Sequence, residues 1–145
     1  YRPILLKISP DLTDEQIDTM TDIMLDTPLD GIVACGGTTG RYGLERSAAK
    51  IHTLGRQPGT ISGKPLKIRS IDIVRRIYER SKGTYPIIGC GGISTPDDAL
   101  EMINAGATLV QIGTEYIYGG GESVRNINEG LNERLRKGKA KQYKE

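Results

Sequence analysis

The sequence predicts an α/β fold built from four βα units. Its 145 residues suit one compact domain, and a helical pattern follows each of four short apolar runs. The runs are rich in Ile, Val and Leu without polar alternation, as expected of parallel strands covered on both faces, and they span 3–8, 31–35, 85–90 and 107–113. Successive right-handed βαβ crossovers give either an open α/β sheet or part of a (β/α)8 barrel.

Local signals place the helices, which we expect over 14–25, 66–81, 96–105 and 122–137. Thr13 and Thr95 are candidate N-caps, and Pro96 suits a first helical position. Gly106 is placed to end the third helix. The lysine-rich tail over 137–145 is expected to be a frayed, solvated end.

Composition excludes several classes of protein. The chain carries 20 Lys and Arg against 18 Asp and Glu, and a net charge of +2 argues against a nucleic-acid binder. No apolar run approaches the ~18 residues of a membrane span, and no signal-like stretch is found. Two cysteines, Cys35 and Cys90, favour a reducing compartment, so we expect a cytoplasmic chain. With a single distant His52 they lack zinc-site spacing, and no metal is expected.

The carboxyl ends of the predicted strands are the candidate binding site, because ligands bind there in barrels and open sheets alike. The residues at these ends include Cys35, Gly36 and Gly37 after the second strand, Gly91 and Gly92 after the third, and Gly113 and Thr114 at the end of the fourth. Glycine and hydroxyl residues let the backbone approach a ligand, and the amides at the third and fourth strand ends would suit a phosphate beside the start of a helix. Gly91 and Gly92 have the alternative interpretation that they only turn the chain.

Further candidates lie around these ends. Lys7 interrupts an apolar strand, so it either extends to solvent at the strand end or directs a cation at an anionic or electron-rich ligand. Ser62 and Gly63 either approach a ring edge or simply precede the next helix. The long stretch over 36–64 is expected to be functional or mobile, with a short helix over 44–54 and an uninvolved His52.

An ordered set of motifs is similar to class 2 dihydroorotate dehydrogenases, the quinone-linked FMN enzymes of pyrimidine synthesis. The segments that carry the resemblance are 3–12 (PILLKISPDL), 30–34 (DGIVA), 62–66 (SGKPL), 86–93 (PIIGCGGI) and 106–112 (GATLVQI). The resemblance covers nearly the whole of 1–145 and implies four βα units forming the C-terminal half of a TIM (β/α)8 barrel.

The resemblance also implies roles for individual residues. Lys7 matches a lysine that contacts the flavin ring, with Cys35 beside it, and Gly63 matches a glycine next to the flavin, preceded by Ser62. The phosphate of FMN would lie against the residues that match Gly91, Gly92, Gly113 and Thr114. Members oxidise dihydroorotate to orotate with a serine base and hydride transfer to flavin, and pass electrons to quinone.

Two departures weaken the match. Gly36 and Gly37 stand where the family has Asn and Thr against the substrate, and Glu115 puts a carboxylate near the phosphate. The catalytic serine belongs to the N-terminal half, so no catalytic residue is assigned and the chain alone should be inactive. The alternatives are a non-catalytic half-barrel with degenerate sites, or another FMN- or phosphate-binding barrel enzyme.

The resemblance also implies partners for the chain. They are dihydroorotate or orotate, quinone and the N-terminal half of the barrel. Because a half-barrel exposes edge strands and an apolar inner face, a homodimer is also expected. The resemblance implies peripheral membrane association for the full-length protein.

Overall fold

A computed structural model describes residues 1–41, 44 and 59–142, with side-chain burial described as far as residue 137. The expected helix over 44–54, His52 and the end of the tail lie outside the described residues. The elements in chain order are β1 (Leu5–Ile8), α1 (Asp14–Leu25), β2 (Gly31–Ala34), a 3₁₀ turn (Lys64–Leu66), α2 (Lys67–Arg80), β3 (Ile87–Cys90), α3 (Pro96–Asn104), β4 (Leu109–Gln111) and α4 (Thr114–Gln142).

The four strands form one parallel sheet in the sequential order β1-β2-β3-β4. A doubly wound open sheet reverses its strand order at a switch point, whereas successive barrel strands do not. The sequential order therefore favours part of a barrel over the open sheet, and the α/β prediction is confirmed.

The two faces of the sheet differ in burial. The row Ile8, Ala34, Gly89 and Val110 faces the helices, where the core also includes Ile32 and Ile87 at 1% and 0% exposure. The alternate row is Lys7, Val33, Ile88 and Leu109, and Leu109 is 61% exposed. The expectation that both faces are covered is wrong for the described residues, because all the helices pack on one side.

Capping interactions begin the helices as predicted. Thr13 accepts a hydrogen bond from the Gln16 amide while the Gln16 side chain accepts from the Thr13 amide. Thr95 and Asp98 form the same reciprocal pair at α3, with Pro96 as its first residue. These bonds satisfy backbone donors that a helix start otherwise leaves free.

The last helical stretch runs from Thr114 to Gln142 and consists of two helices joined at Gly120. The second helix agrees with the predicted start at Glu122 but extends past the predicted end at about Lys137, whereas the short helix before Gly120 was not predicted. Gly120 breaks it with φ 59° and ψ −153°, a conformation that favours glycine. The exposed side chains of Ile117 and Tyr118 precede this break. Frayed behaviour of the tail stays a prediction.

Ion pairs fasten α1 to α2. The Arg76 guanidinium binds both carboxylate oxygens of Asp18 at 2.6 and 2.7 Å, and Arg69 binds Asp14 at 2.8 Å. Arg80 continues the series onto Asp22. No helix of the described residues combines the length and apolarity needed to cross a membrane.

Candidate functional site

A cleft of about 440 Å³ lies at the carboxyl ends of the four strands. All ten residues predicted for binding line it: Lys7, Cys35, Gly36, Gly37, Ser62, Gly63, Gly91, Gly92, Gly113 and Thr114. The volume is within the ~300–1,000 Å³ typical of cofactor sites. Because parallel strands end at one edge of a sheet, residues up to 107 positions apart in sequence meet here.

Lys7 presents a cation to the cleft. It lies in the exposed row of β1 rather than in the core, because that row faces away from the helices. Among the described residues its ammonium group forms no ion pair. Lys7 therefore has a charge available for an anionic ligand, at little desolvation cost to the folded chain.

Backbone amides supply the second feature of the cleft. Within the described residues, the N–H groups of Gly91, Gly92, Gly113 and Thr114 donate no hydrogen bond. Amides in this state need a partner from solvent or a ligand. Because these residues of two neighbouring strand ends line one cleft, their N–H groups suit the oxygens of a phosphate group.

Packing against α2 explains why residues 91 and 92 are glycines. Gly92 has φ 73°, and a Cβ there would lie 2.6 Å from Cα of Lys67. Gly91 has φ 126°, and a Cβ would lie 2.2 Å from Oγ of Ser70. Turning and close packing thus account for the glycine at both positions, whichever ligand their amides meet. At Gly113, by contrast, a Cβ would meet nothing within 4 Å.

At the start of α3, nearby side chains accept the hydrogen bonds of the backbone amides. Asp98 accepts hydrogen bonds from the amides of Ser94 and Thr95 at 3.0 and 2.9 Å, and it pairs with Lys67 at 2.6 Å. Burial alone would raise the pKa of Asp98, but these bonds hold that pKa well below its usual range. The amides of Ser94 and Thr95 are therefore already bonded, and the amides that remain for a phosphate lie at Gly91 and Gly92 and on the next strand end.

Ser62 and Thr114 join two walls of the cleft. Thr114 Oγ1 donates to Ser62 Oγ at 2.9 Å, and a Cβ on Gly63 would lie 3.1 Å from Cγ2 of Thr114. With φ 84°, Gly63 begins the 3₁₀ turn that leads into α2. Ser62 and Gly63 therefore both line the cleft and precede a helix, which unites the two interpretations of this pair.

Comparison with known proteins identifies the fold and the family. The family model of dihydroorotate dehydrogenase matches residues 1–135. The chain belongs to the dihydroorotate dehydrogenase family. This confirms the resemblance found in the sequence.

Relatives and solved structures of that family agree. The chain is 44% identical over 129 residues to a dihydroorotate dehydrogenase (quinone) of Corynebacterium striatum, covering 89% of this chain and 35% of the relative. It is 45% identical over 134 residues to one of Rhodococcus erythropolis, covering 92% and 37%. The crystal structure of the Eimeria tenella dehydrogenase in complex with ferulenol superposes with a TM-score of 0.84 at 35% identity, covering 96% of this chain and 36% of that one. The chain therefore spans about a third of its relatives' length and forms a partial TIM barrel.

Two departures from the family's pattern can now be placed. A Cβ on Gly37 would lie 2.8 Å from Oγ1 of Thr60, so a side chain at this position would require Thr60 to shift. At Gly36 a Cβ would have only ordinary contacts, at 3.8 Å or more. Neither residue offers the side-chain hydrogen bonds to a dihydroorotate dehydrogenase substrate that Asn and Thr would offer.

Glu115 is directed along its own helix. Its Oε1 lies 3.1 Å from the place of a Cβ on Gly119, one turn further on. The carboxylate is half-buried at the edge of the cleft. This orientation reduces the expected repulsion of a phosphate.

The two cysteines lie at neighbouring strand ends, as predicted. The Cys35 thiol is 3.3 Å from Ser70 Oγ of α2, and the Cys35 amide donates to the Cys90 carbonyl at 2.8 Å. Burial raises the pKa of both thiols. A raised pKa lowers the thiolate fraction, which disfavours a nucleophilic role for either cysteine. Among the described residues no cluster of three or more His, Cys, Asp or Glu could hold a metal ion.

Sequence reasoning missed part of the lining. Lys64, Ile117 and Tyr118 also face the cleft. Lys64 follows Ser62 and Gly63 directly, so its position could have been inferred from theirs. Ile117 and Tyr118 were missed because the helix over 114–119 is too short and too rich in polar residues to show a clear period.

Proposed function

We propose that this chain is the FMN-binding portion of a dihydroorotate dehydrogenase and that it is inactive without the rest of the barrel. One observation supports the proposal best. In a single cleft, Lys7 lies with the amides of two neighbouring strand ends, and none of these groups is paired with another of the described residues. A cation at one end and amide donors at the other fit a cofactor with an electron-rich ring and a phosphate.

The residues present have distinct tasks in this proposal. The amides of Gly91, Gly92, Gly113 and Thr114 hold the phosphate, while Lys7 stabilises negative charge on the ring. FMN, when bound, supplies the acceptor for hydride from dihydroorotate. Ser62 and Gly63 form the side of the cleft that fixes the ring edge, since the Ser62 hydroxyl accepts a hydrogen bond from the Thr114 hydroxyl. The other half of the barrel and the remaining segments, with the catalytic serine, quinone contacts and peripheral membrane association, are expected in the rest of the protein.

Direct titration tests cofactor binding. Flavin fluorescence is followed as the chain is added to FMN, and thermal unfolding is measured with and without FMN. We expect quenching and a raised unfolding temperature, because a ligand bound only by the native state stabilises it. Lys7→Gln should weaken binding about tenfold without altering the unfolding temperature of the free chain, since Lys7 is exposed. Lys82→Gln, at an exposed lysine that does not line the cleft, serves as the control. Absence of both quenching and stabilisation would refute the cofactor assignment.

A second candidate, a non-catalytic homologue that no longer uses dihydroorotate, is favoured by one observation. Gly37 has no side chain for the substrate contact expected there, and a Cβ at this position would require Thr60 to shift. Mixing the chain with the N-terminal part of a relative such as the Rhodococcus erythropolis enzyme separates the two candidates. Recovery of dihydroorotate oxidation supports the first candidate, whereas flavin binding without oxidation supports the second.

A further inference from the structure

Asp11 lies just after β1 and reaches the loop that follows β2. Its carboxylate accepts hydrogen bonds from the hydroxyl of Thr38 and from both the amide and the hydroxyl of Thr39, the last two at 2.8 and 2.6 Å. We refer to Asp11, Thr38 and Thr39 as the clasp. Hydrogen bonds to an ionised carboxylate are stronger than those between neutral groups.

The turn that carries Asp11 is itself held from α2. Arg69 donates to the carbonyl of Pro10 at 3.3 Å and to that of Leu12 at 2.6 Å, on either side of Asp11. The same guanidinium pairs with Asp14. The backbone at Asp11 is thus fixed independently of its side chain, and the carboxylate has a defined direction.

Thr38 connects Asp11 to the wall of the cleft. It is 1% exposed, and its hydroxyl also accepts from the Gly40 amide at 2.9 Å. Its backbone pairs with Ile61 in both directions, at 2.9 and 2.7 Å. Ile61 immediately precedes Ser62 and Gly63, which line the cleft opposite Thr114.

We propose that Asp11 is a positioning residue, which through the clasp and Ile61 holds the Ser62–Gly63 wall at the spacing that the ligand needs. Asp11 does not line the cleft and would not touch the ligand. Without the carboxylate, the bridge between Thr38 and Ile61 is the connection that loosens, because the Thr38 and Thr39 hydroxyls lose their common acceptor. The effect on FMN rests on the proposed function, whereas the effect on the loops does not.

Amide hydrogen exchange on the whole chain tests the clasp directly. In Asp11→Ala we expect exchange at Thr38, Thr39, Gly40 and Ile61 to accelerate at least about tenfold, with the core strands unchanged. Asp11→Asn keeps the shape and one acceptor oxygen, so its acceleration should be intermediate. Asp72→Ala is the matched control, since it removes a carboxylate that pairs only with Arg75 among the described residues.

FMN titration of the same variants then tests positioning. Asp11→Ala should weaken FMN binding about tenfold, Asp11→Asn less, and Asp72→Ala not at all. Unchanged exchange at Thr38 and Ile61 in Asp11→Ala overturns the inference, and so does faster exchange with unchanged FMN affinity. If Asp11→Ala accelerates exchange throughout the chain, the milder variant Asp11→Asn is measured instead. Faster exchange confined to the amides of Thr38, Thr39, Gly40 and Ile61 in that variant supports the clasp, and unchanged exchange at these amides refutes it. If the unaltered chain does not bind FMN, the proposed function fails while exchange still decides the clasp.

Discussion

Exchanging glycine for alanine at positions 92 and 113 should separate glycines required by packing from a glycine that leaves room for a ligand. At Gly92, φ of 73° costs a residue with a side chain about 1–2 kcal/mol. The added Cβ would also meet backbone atoms of Lys67 at 2.6–2.7 Å, which side-chain rotation cannot relieve. Overpacking of this kind costs about 1–3 kcal/mol.

A smaller term opposes these costs. Alanine restricts the unfolded chain and so stabilises the folded state by about 0.4–1 kcal/mol. Gly92→Ala is therefore expected to lower the free energy of unfolding by about 2–4 kcal/mol, a large fraction of the ~5–15 kcal/mol of a typical domain. Gly113→Ala should leave it within about 1 kcal/mol, because a Cβ there would have open space.

Urea unfolding followed by far-ultraviolet circular dichroism measures both changes, with the slope m checked for constancy. FMN titration of Gly113→Ala, which should still fold, is expected to show binding weakened about tenfold, since its methyl group occupies space next to a phosphate-facing amide. A Gly92→Ala chain as stable as the original would refute the packing argument. Unchanged FMN affinity in Gly113→Ala would refute the placement of the phosphate.

Three further predictions concern stability and assembly. Asp98→Asn should lower the free energy of unfolding by about 1–2 kcal/mol at neutral pH. Because the pKa of Asp98 is lower in the folded chain than in the unfolded chain, its stabilisation is present above the unfolded pKa and disappears as the pH falls. Urea midpoints measured across pH should therefore show a smaller loss of stability below pH ~4 in the variant. Arg76→Ala should lower the urea midpoint more than Arg75→Ala does, because Arg76 forms a bidentate pair with Asp18. The difference between the two variants should shrink in about 1 M salt, because the pair is partly exposed and salt screens it. Sedimentation velocity should show a dimer that forms through the uncovered face of the sheet, where Leu109 is exposed. Leu109→Lys should convert this dimer to a monomer. A monomer in the unaltered chain would contradict the prediction.

Local signals in the sequence were sufficient for the order and caps of the elements. Thr13 with Gln16, and Thr95 with Asp98, interact across three residues, so their pattern is visible without a fold. The start of α4 was not visible, because the segment from Thr114 to Gly119 is short and its apolar side chains are exposed. Its helical conformation follows from its place after β4.

The sequence by itself determined the family, the parallel α/β order and the ten residues that meet in the cleft, because strand ends of a parallel sheet share one edge. Only the tertiary structure decided what each residue contacts there. Gly92 and Gly113 look alike in the sequence, and they differ because α2 lies against one and not the other. Lys7 is exposed because all the helices pack on the opposite face, and Asp11 acts on Thr38 across 27 residues, a separation that no local pattern reveals.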